Sequence, residues 1–180
     1  MKEAEVSLRL ALFYIKNNLA ADTVKVSIDG AHIKVKNQVI FNLFDFLSNN
    51  GCQNIDKESK RWQGIYEVKG YDCRLEIHSR PGEGDVVVPL HNGETVVVEC
   101  KGGVENRRGN QEYRLIREAI GQLLTNGIDS KCVIPYVAVP FSDKNFTLID
   151  KWSEYELLKK TEIGFFLVKP NDEILVIKKK

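Results

Sequence analysis

Residues 84–103 read GDVVVPLHNGETVVVECKGG, and the rest of the chain is organised around this stretch. It holds two runs of three valines, joined through a short turn that contains HNG at 91–93. Valine runs favour extended backbone and are apolar on both faces, which is typical of buried central strands. Asp85 precedes the first run, and Glu99 and Lys101 follow the second. Charged residues are unusual at the ends of buried strands, and they indicate a site that carries out chemistry.

The length of the turn decides whether these charged side chains face one another. A two-residue turn would place Asp85 opposite Cys100. Glu99 and Lys101 would then point to the other face of the sheet. A three-residue loop with Gly93 in the left-handed conformation instead places Asp85 opposite Glu99, with Lys101 on the same face. We predict the three-residue loop.

Two facing carboxylates repel each other unless a cation lies between them. Oxygen ligands at this spacing suit Mg²⁺ or Mn²⁺. A lysine beside such an ion can orient or deprotonate a water, or stabilise charge that develops on a phosphate. Two acids and a lysine therefore favour metal-dependent hydrolysis of a phosphodiester.

Composition sets the broad class of the protein. The 180 residues are 43% hydrophobic and 28% charged, as in ordinary globular proteins. Lys and Arg (26) nearly balance Asp and Glu (25), so net charge does not argue for a nucleic-acid partner. No apolar run reaches transmembrane length, and the N-terminus does not resemble a signal peptide. The four cysteines form no CxxC pair, which favours reduced thiols in a cytoplasm over a zinc site.

Hydrophobic periodicity predicts an α/β domain with a central mixed sheet of four or more strands flanked by helices. Residues 1–38 are predicted to be a helix and a hairpin that decorate the core, which would span 39–180. The predicted helices cover 6–19, 40–50, 111–126 and, within a mixed stretch at 143–160, residues 152–159. Asn110 is predicted to cap the third helix and Gly127 to end it. The predicted strands are a 24–36 hairpin turning at 29–30, a pair at 62–68 and 71–78, the two valine strands, 132–139, and a final hairpin at 163–168 and 173–177.

Asp85, followed by Glu99-Cys100-Lys101 at the end of the next strand, resembles the PD-(D/E)xK nuclease superfamily. That superfamily includes restriction endonucleases, junction resolvases and repair nucleases. Its core runs helix, three-stranded meander, helix, strand. The segments that match this order are 40–50, strands within 62–99, 111–126 and 132–139, so the resemblance covers roughly 40–140.

The resemblance implies a restriction-endonuclease-like fold and a Mg²⁺-dependent deoxyribonuclease. It implies that Asp85, Glu99 and the backbone carbonyl of Cys100 bind the metal. Lys101 would position the attacking water. Gln122 matches a glutamine that some members carry in the active site, with a helix-surface glutamine as the alternative interpretation.

The sequence departs from the superfamily pattern at three points. Gly84 stands where a proline usually precedes the aspartate, and Asn126 stands where a tyrosine often follows the glutamine by four positions. The acid that some members carry on the first core helix has no clear match. Asp45 and Glu5 are the weak candidates for it.

The predicted partner is DNA. Arg107 and Arg108, in a loop with several glycines after Lys101, could clamp phosphates, or they could belong to a solvated loop. Symmetric cutting of two strands would need a homodimer, for which the sequence names no interface. The predicted function is a DNA endonuclease. An inactive nucleic-acid-binding or assembly module with the same fold is the alternative, and a metal-dependent hydrolase of small phosphates is a third.

Overall fold

The computed structural model describes residues 1–35, 38–55, 61–82, 84–103, 111–126 and 132–178. The helices are α1 (Glu3–Lys16), α2 (Leu43–Asn49), α3 (Gln111–Thr125), α4 (Asp143–Trp152) and α5 (Glu156–Lys159). The strands are β1 (Val24–Ser27), β2 (His32–Val35), β3 (Gln38–Asn42), β4 (Cys52–Asn54), β5 (Gly64–Val68), β6 (Arg74–His78), β7 (Val86–Pro89), β8 (Thr95–Cys100), β9 (Val133–Pro140), β10 (Gly164–Val168) and β11 (Ile174–Ile177).

Nine of these strands form one mixed sheet in the order β11-β10-β9-β8-β7-β1-β6-β5-β4, while β2 and β3 pair separately. The pairs β1–β6, β8–β9 and β9–β10 are parallel, and the remaining neighbours are antiparallel. The predicted α/β class with a central mixed sheet is confirmed. None of the helices in the described ranges has the length and apolar character needed to span a bilayer.

The sheet is covered by helices on both faces. Alternate residues of β8 point to opposite sides, so Val96 and Val98 pack with the apolar face of α1 while Val97 packs with α3. Helix α1 buries most of its length, including Leu8 and Leu10 at 0% exposure. Burying one such side chain contributes about 1.5–3 kcal/mol. The central hairpin is therefore held between two apolar layers.

The N-terminal helix and first strand belong to this core. Strand β1 lies between β7 and β6, and both Val24 and Val26 are fully buried. The hairpin predicted over 24–36 is wrong, because β1 pairs with β6 and β7 whereas β2 pairs with β3. Alternation of apolar residues reports that one face is buried, but it does not say which strand lies alongside. The division of the chain at residue 38 stays a prediction.

The same strand interrupts the predicted meander over 62–99, since β1 separates β6 from β7. The helix predicted over 40–50 begins later, at Leu43, where the side chain of Asn42 caps it by accepting the N–H of Phe44. Ile40 lies instead in β3. The short strand β4 was not predicted. It follows directly on Gly51, whose φ of +72° suits the predicted helix end.

Most of the remaining predicted elements are confirmed. The β5–β6 pair turns at Gly70, the last two strands form a hairpin, β9 is a strand that ends at Pro140, and α3 covers the predicted segment. The helix predicted over 152–159 is only partly right, because α4 covers the residues before it and ends at Trp152, and only the short α5 lies within it.

Candidate active site

The central hairpin has the predicted three-residue loop. Val86 pairs with Val98, so the register continues to Leu90 opposite Glu94. The N–H of Leu90 donates to the carbonyl of Glu94 at 2.8 Å, and Gly93 has a φ of +84°. The left-handed glycine that this loop requires is present. The register therefore brings Asp85 opposite Glu99.

Three hydrogen bonds fix Asp85 in place, two to β8 and one to β1. Its N–H donates to the carbonyl of Val98 at 2.9 Å, and its carbonyl accepts the N–H of Ser27 at 2.8 Å. Its carboxyl atom Oδ2 accepts the N–H of Cys100 at 2.7 Å. The Cys100 side chain is fully buried in the α1 layer, so only its backbone is available to the site.

The backbone at Gly84 is incompatible with the proline that the superfamily usually carries at this position. Its φ is +130°, a conformation that favours glycine. A Cβ at this position would lie 2.8 Å from Cγ1 of Val97 and 3.2 Å from the carbonyl oxygen of Val98. The strand carrying Asp85 approaches β8 too closely here for any side chain.

Glu99 and Lys101 are buried charged residues with partners. Glu99 is 5% exposed, and its Oε1 accepts a hydrogen bond from Nδ2 of Asn126 at 2.6 Å. Lys101 is 6% exposed, and its Nζ lies 3.6 Å from Oε1 of Glu118. Buried charges are costly unless they are paired or hydrogen-bonded. One partner lies on α3 and the other directly after it.

Burial favours the protonated form of both carboxyl groups of the pair. Burial raises the pKa of Asp85 to about 7, with a further increase from Glu99, while the Cys100 N–H and Lys101 act in the opposite direction. Burial also raises the pKa of Glu99, against hydrogen bonds from Asn126 and Asp85. In the absence of a cation, the pair therefore holds a proton near neutral pH.

Three residues at intervals of four form what we call the site stripe: Glu118 and Gln122 on α3, and Asn126 directly after it. Its first and last members contact Lys101 and Glu99. Gln122 lies between them, and its Oε1 is buried without a hydrogen-bond partner in the described part of the chain. An unpaired buried amide oxygen is costly, which indicates that this atom binds a ligand or a water.

Helix α1 adds an acid that was not predicted. Glu3 lies in the first turn of α1, where burial raises its pKa, Lys101 lowers it and Asp85 raises it. The Glu3 side chain is exposed to solvent, yet enough protein atoms lie around its carboxyl group to raise its pKa. Gly102 allows the close approach, since a Cβ there would lie 2.7 Å from the Glu3 nitrogen. A cleft of about 400 Å³ beside the site is lined by Glu3, Asp29 and Asp85.

The two acids that the sequence offered for this role do not reach the site. Glu5 pairs with Arg9 at 3.0 Å, and Asp45 accepts a hydrogen bond from Asn42 at 2.7 Å. Glu3 gave no usable signal, because acids in the first turn of a helix are common for electrostatic reasons alone. Asn126 and Glu118 had one available signal, their four-residue spacing from Gln122.

The donor set suits a hard cation. Asp85 and Glu99 supply carboxylate oxygens, Gln122 supplies an unpaired amide oxygen, and Cys100 presents its backbone. Such oxygen donors are those that Mg²⁺ and Mn²⁺ prefer. In the ranges that the structure describes, no three His, Cys, Asp or Glu side chains are grouped so as to hold a metal by themselves.

Some predicted residues lie outside the described ranges. These are Arg107 and Arg108, predicted to contact phosphates, and the residues 110 and 127 predicted to begin and end α3. Their roles stay predictions. Comparison with known proteins gave no match to a family model, to a curated protein or to a solved structure.

Proposed function

We propose that this chain is a metal-dependent endonuclease that hydrolyses DNA phosphodiester bonds. The observation that carries the proposal is the pair of a half-buried Asp85 and a buried Glu99 at the end of the central hairpin, with the buried Lys101 beside it. Two facing carboxyls and a buried lysine are a costly arrangement for stability alone. Such clusters of perturbed groups occur preferentially at functional sites.

The order of elements supports the same proposal. Helix α1, the adjacent antiparallel strands β1, β7 and β8, helix α3, and β9 parallel to β8 follow the sequence helix, three strands, helix, strand. We therefore propose a restriction-endonuclease-like core whose first helix is α1. Residues 28–84 would then be an insertion between its first two strands. This assignment makes Glu3 the acid of the first core helix.

Each residue of the site has a proposed role. Asp85, Glu99 and the Cys100 carbonyl would hold Mg²⁺ or Mn²⁺. When bound there, the ion supplies charge neutralisation at the phosphate. Lys101 is held by its burial and by Glu118, so that its ammonium group can orient the attacking water or contact a phosphate oxygen.

The surrounding residues hold this arrangement in place. Asn126 fixes one oxygen of Glu99 through its hydrogen bond. The free Oε1 of Gln122 is available to accept a hydrogen bond from a water or to join the oxygen donors. Arg107 and Arg108 are proposed to contact DNA phosphates, which would help a chain of net charge +1 to approach DNA.

Plasmid and single-stranded DNA, incubated with Mg²⁺ or Mn²⁺, test the proposal. We expect the wild-type chain to nick DNA, and Asp85→Asn and Lys101→Ala to reduce the rate at least about a hundredfold. Lys151→Ala, which removes an exposed lysine on α4, should cut normally. Nicking that persists in both site variants would overturn the assignment of the site. A wild-type chain that binds DNA but never cuts it would favour the inactive module.

A further inference from the structure

The side of helix α3 opposite the site stripe carries a second regular set of side chains. Tyr113, Arg117, Ile120 and Leu124 recur at spacings of four, three and four residues. At about 100° per residue they lie on the far side of the helix from the site stripe. The buried core residues of α3 lie between the two sides. A partner bound to this second side would leave the site open.

This side of α3 forms one wall of a groove. The groove has a volume of about 670 Å³, and α4 and α5 with the turns around α5 form the opposite wall. The edge-to-face pair of Tyr113 and Trp152, with ring centroids 4.7 Å apart, lies in the groove. The guanidinium of Arg117 lies 4.2 Å from the centre of the Tyr113 ring. Thr161 connects the groove to a smaller depression lined by Leu124.

The apolar side chains around this groove are unusually exposed. Leu157 is 80% exposed, Leu124 is 60% and Tyr155 is 50%. These are the three most exposed large apolar side chains in the described ranges. Single exposed apolar residues are common, but a cluster of this kind beside a groove is typical of a protein–protein interface.

The two walls carry opposite charge. The α3 wall carries Arg117, whereas the α5 wall carries Glu154 and Glu156. Lys159 lies 3.7 Å from Glu154 and 3.9 Å from Glu156, whose side chain is 81% exposed. A two-fold rotation about an axis that runs along the groove places the positive wall of one copy against the negative wall of the other.

We propose that a second copy of this chain docks on the groove as a symmetric dimer. Leu157 of each copy enters the groove of the other, and Arg117 of each copy faces Glu156 of the other. The proposal does not depend on nuclease activity, because the dimer can be measured without DNA or metal.

Sedimentation of the full chain tests the interface. We expect a mass of twice 20.5 kDa that dissociates on dilution. Leu157→Asp should weaken the dimer at least about tenfold. Leu19→Asp, which replaces a 42% exposed leucine that does not line the groove, should leave the dimer unchanged. A wild-type chain that is monomeric up to its solubility limit would overturn the proposal and leave the groove to another protein. A dimer unaffected by Leu157→Asp would also overturn it.

Charge reversal tests the two-fold arrangement. Arg117→Glu and Glu156→Arg should each weaken self-association, since each makes two like charges face each other. An equimolar mixture of the two variants should restore the dimer, because every facing pair is then opposite in charge. Failure of the mixture to associate, while each variant alone remains folded by circular dichroism, would overturn the proposed orientation.

Discussion

At the scale of single residues, the site is a set of buried charges in which Asp85 and Glu99 oppose each other. The pKa of Asp85 rises from 3.8 to about 7, mainly because of burial. In the unfolded chain this carboxyl ionises near 4. Between these two values the folded state binds more protons than the unfolded state, so its stability falls as pH rises. Metal-free protein therefore loses stability through Asp85 between about pH 4 and pH 7.

Asp85→Asn should stabilise the metal-free protein at neutral and higher pH. The asparagine Oδ1 can still accept the Cys100 N–H, while the repulsion with Glu99 disappears. We expect a gain on the order of 1–3 kcal/mol at about pH 8 that vanishes near pH 4. Thermal unfolding in a chelator measures it. The charged groups that act on Asp85 are Glu99, Lys101, Glu3 and Asp29, and none is changed by the substitution. The explanation fails if the variant is equally destabilised at both pH values.

Asn126→Ala should impair catalysis by releasing Glu99. The lost hydrogen bond lowers the pKa of Glu99 in the wild type, so its removal should raise that pKa further. We expect about a tenfold lower rate at pH 7 and a pH–rate profile shifted to higher pH. Thr125→Ala is the matched control, since this neighbouring side chain is exposed and bonds only within α3. A lower rate with an unshifted pH profile would contradict a positioning role for Asn126.

At the scale of elements, the loop 91–93 decides whether a site exists. Side chains alternate along a strand, so a shift of one residue in register moves Glu99 and Lys101 to the opposite face. The loop is fixed locally: Asn92 Oδ1 accepts the N–H of Glu94 at 3.0 Å, and Gly93 takes the left-handed conformation. The length of this loop therefore sets which side chains of the two strands face each other.

Deletion of Thr95 should abolish activity, because it keeps the 91–93 loop but shifts β8 by one residue and so places Asp85 opposite Cys100. We expect at least about a hundredfold loss of nicking by a protein that still folds. Gly93→Val keeps the loop length, and we expect it to retain activity while costing about 1–2 kcal/mol for its left-handed backbone. Gly70→Val is the matched control, since Gly70 has a φ of +87° and, like Gly93, open space around its Cβ position. Full activity after the deletion would contradict the role of register.

At the scale of the whole molecule, the site lies where the two helical layers meet at one end of the sheet. Helix α1 contributes Glu3 from one face, and α3 contributes the site stripe from the other. The proposed dimer groove lies on the far side of α3, so two sites would remain accessible in one particle. A dimer of this kind is suited to cutting both strands of a duplex.

The wild-type chain should therefore convert supercoiled plasmid to linear DNA, whereas Leu157→Asp should produce mainly nicked circles. The monomeric variant keeps its site residues, so its rate of first-strand nicking should be unchanged. Gel analysis of the three plasmid forms over time measures both steps. Equal linearisation by Leu157→Asp, at an equal nicking rate, would show that cutting of the second strand does not need the dimer.

Several features could be predicted from the sequence because they depend on neighbours in the chain. The valine runs and the glycine loop set the β7–β8 register, and helical spacing set α3 with Gln122 and Asn126 on one side. These features rest on strand alternation, turn geometry and helical period, which act over a few residues. Asp85, Glu99 and Lys101 could be brought together from the sequence for this reason.

Which distant segments meet depends on long-range packing and could not be predicted. Nothing local in β1 indicates that it inserts between β6 and β7, and nothing local in Glu3 indicates that α1 brings it to Lys101. The role of Gly84 could not be predicted either, because it depends on the close approach of Val97 and Val98. Local sequence specifies the hairpin, its loop and the charged residues at its ends. The position of β1, the acid from α1 and the second side of α3 depend on long-range packing, which local periodicity does not encode.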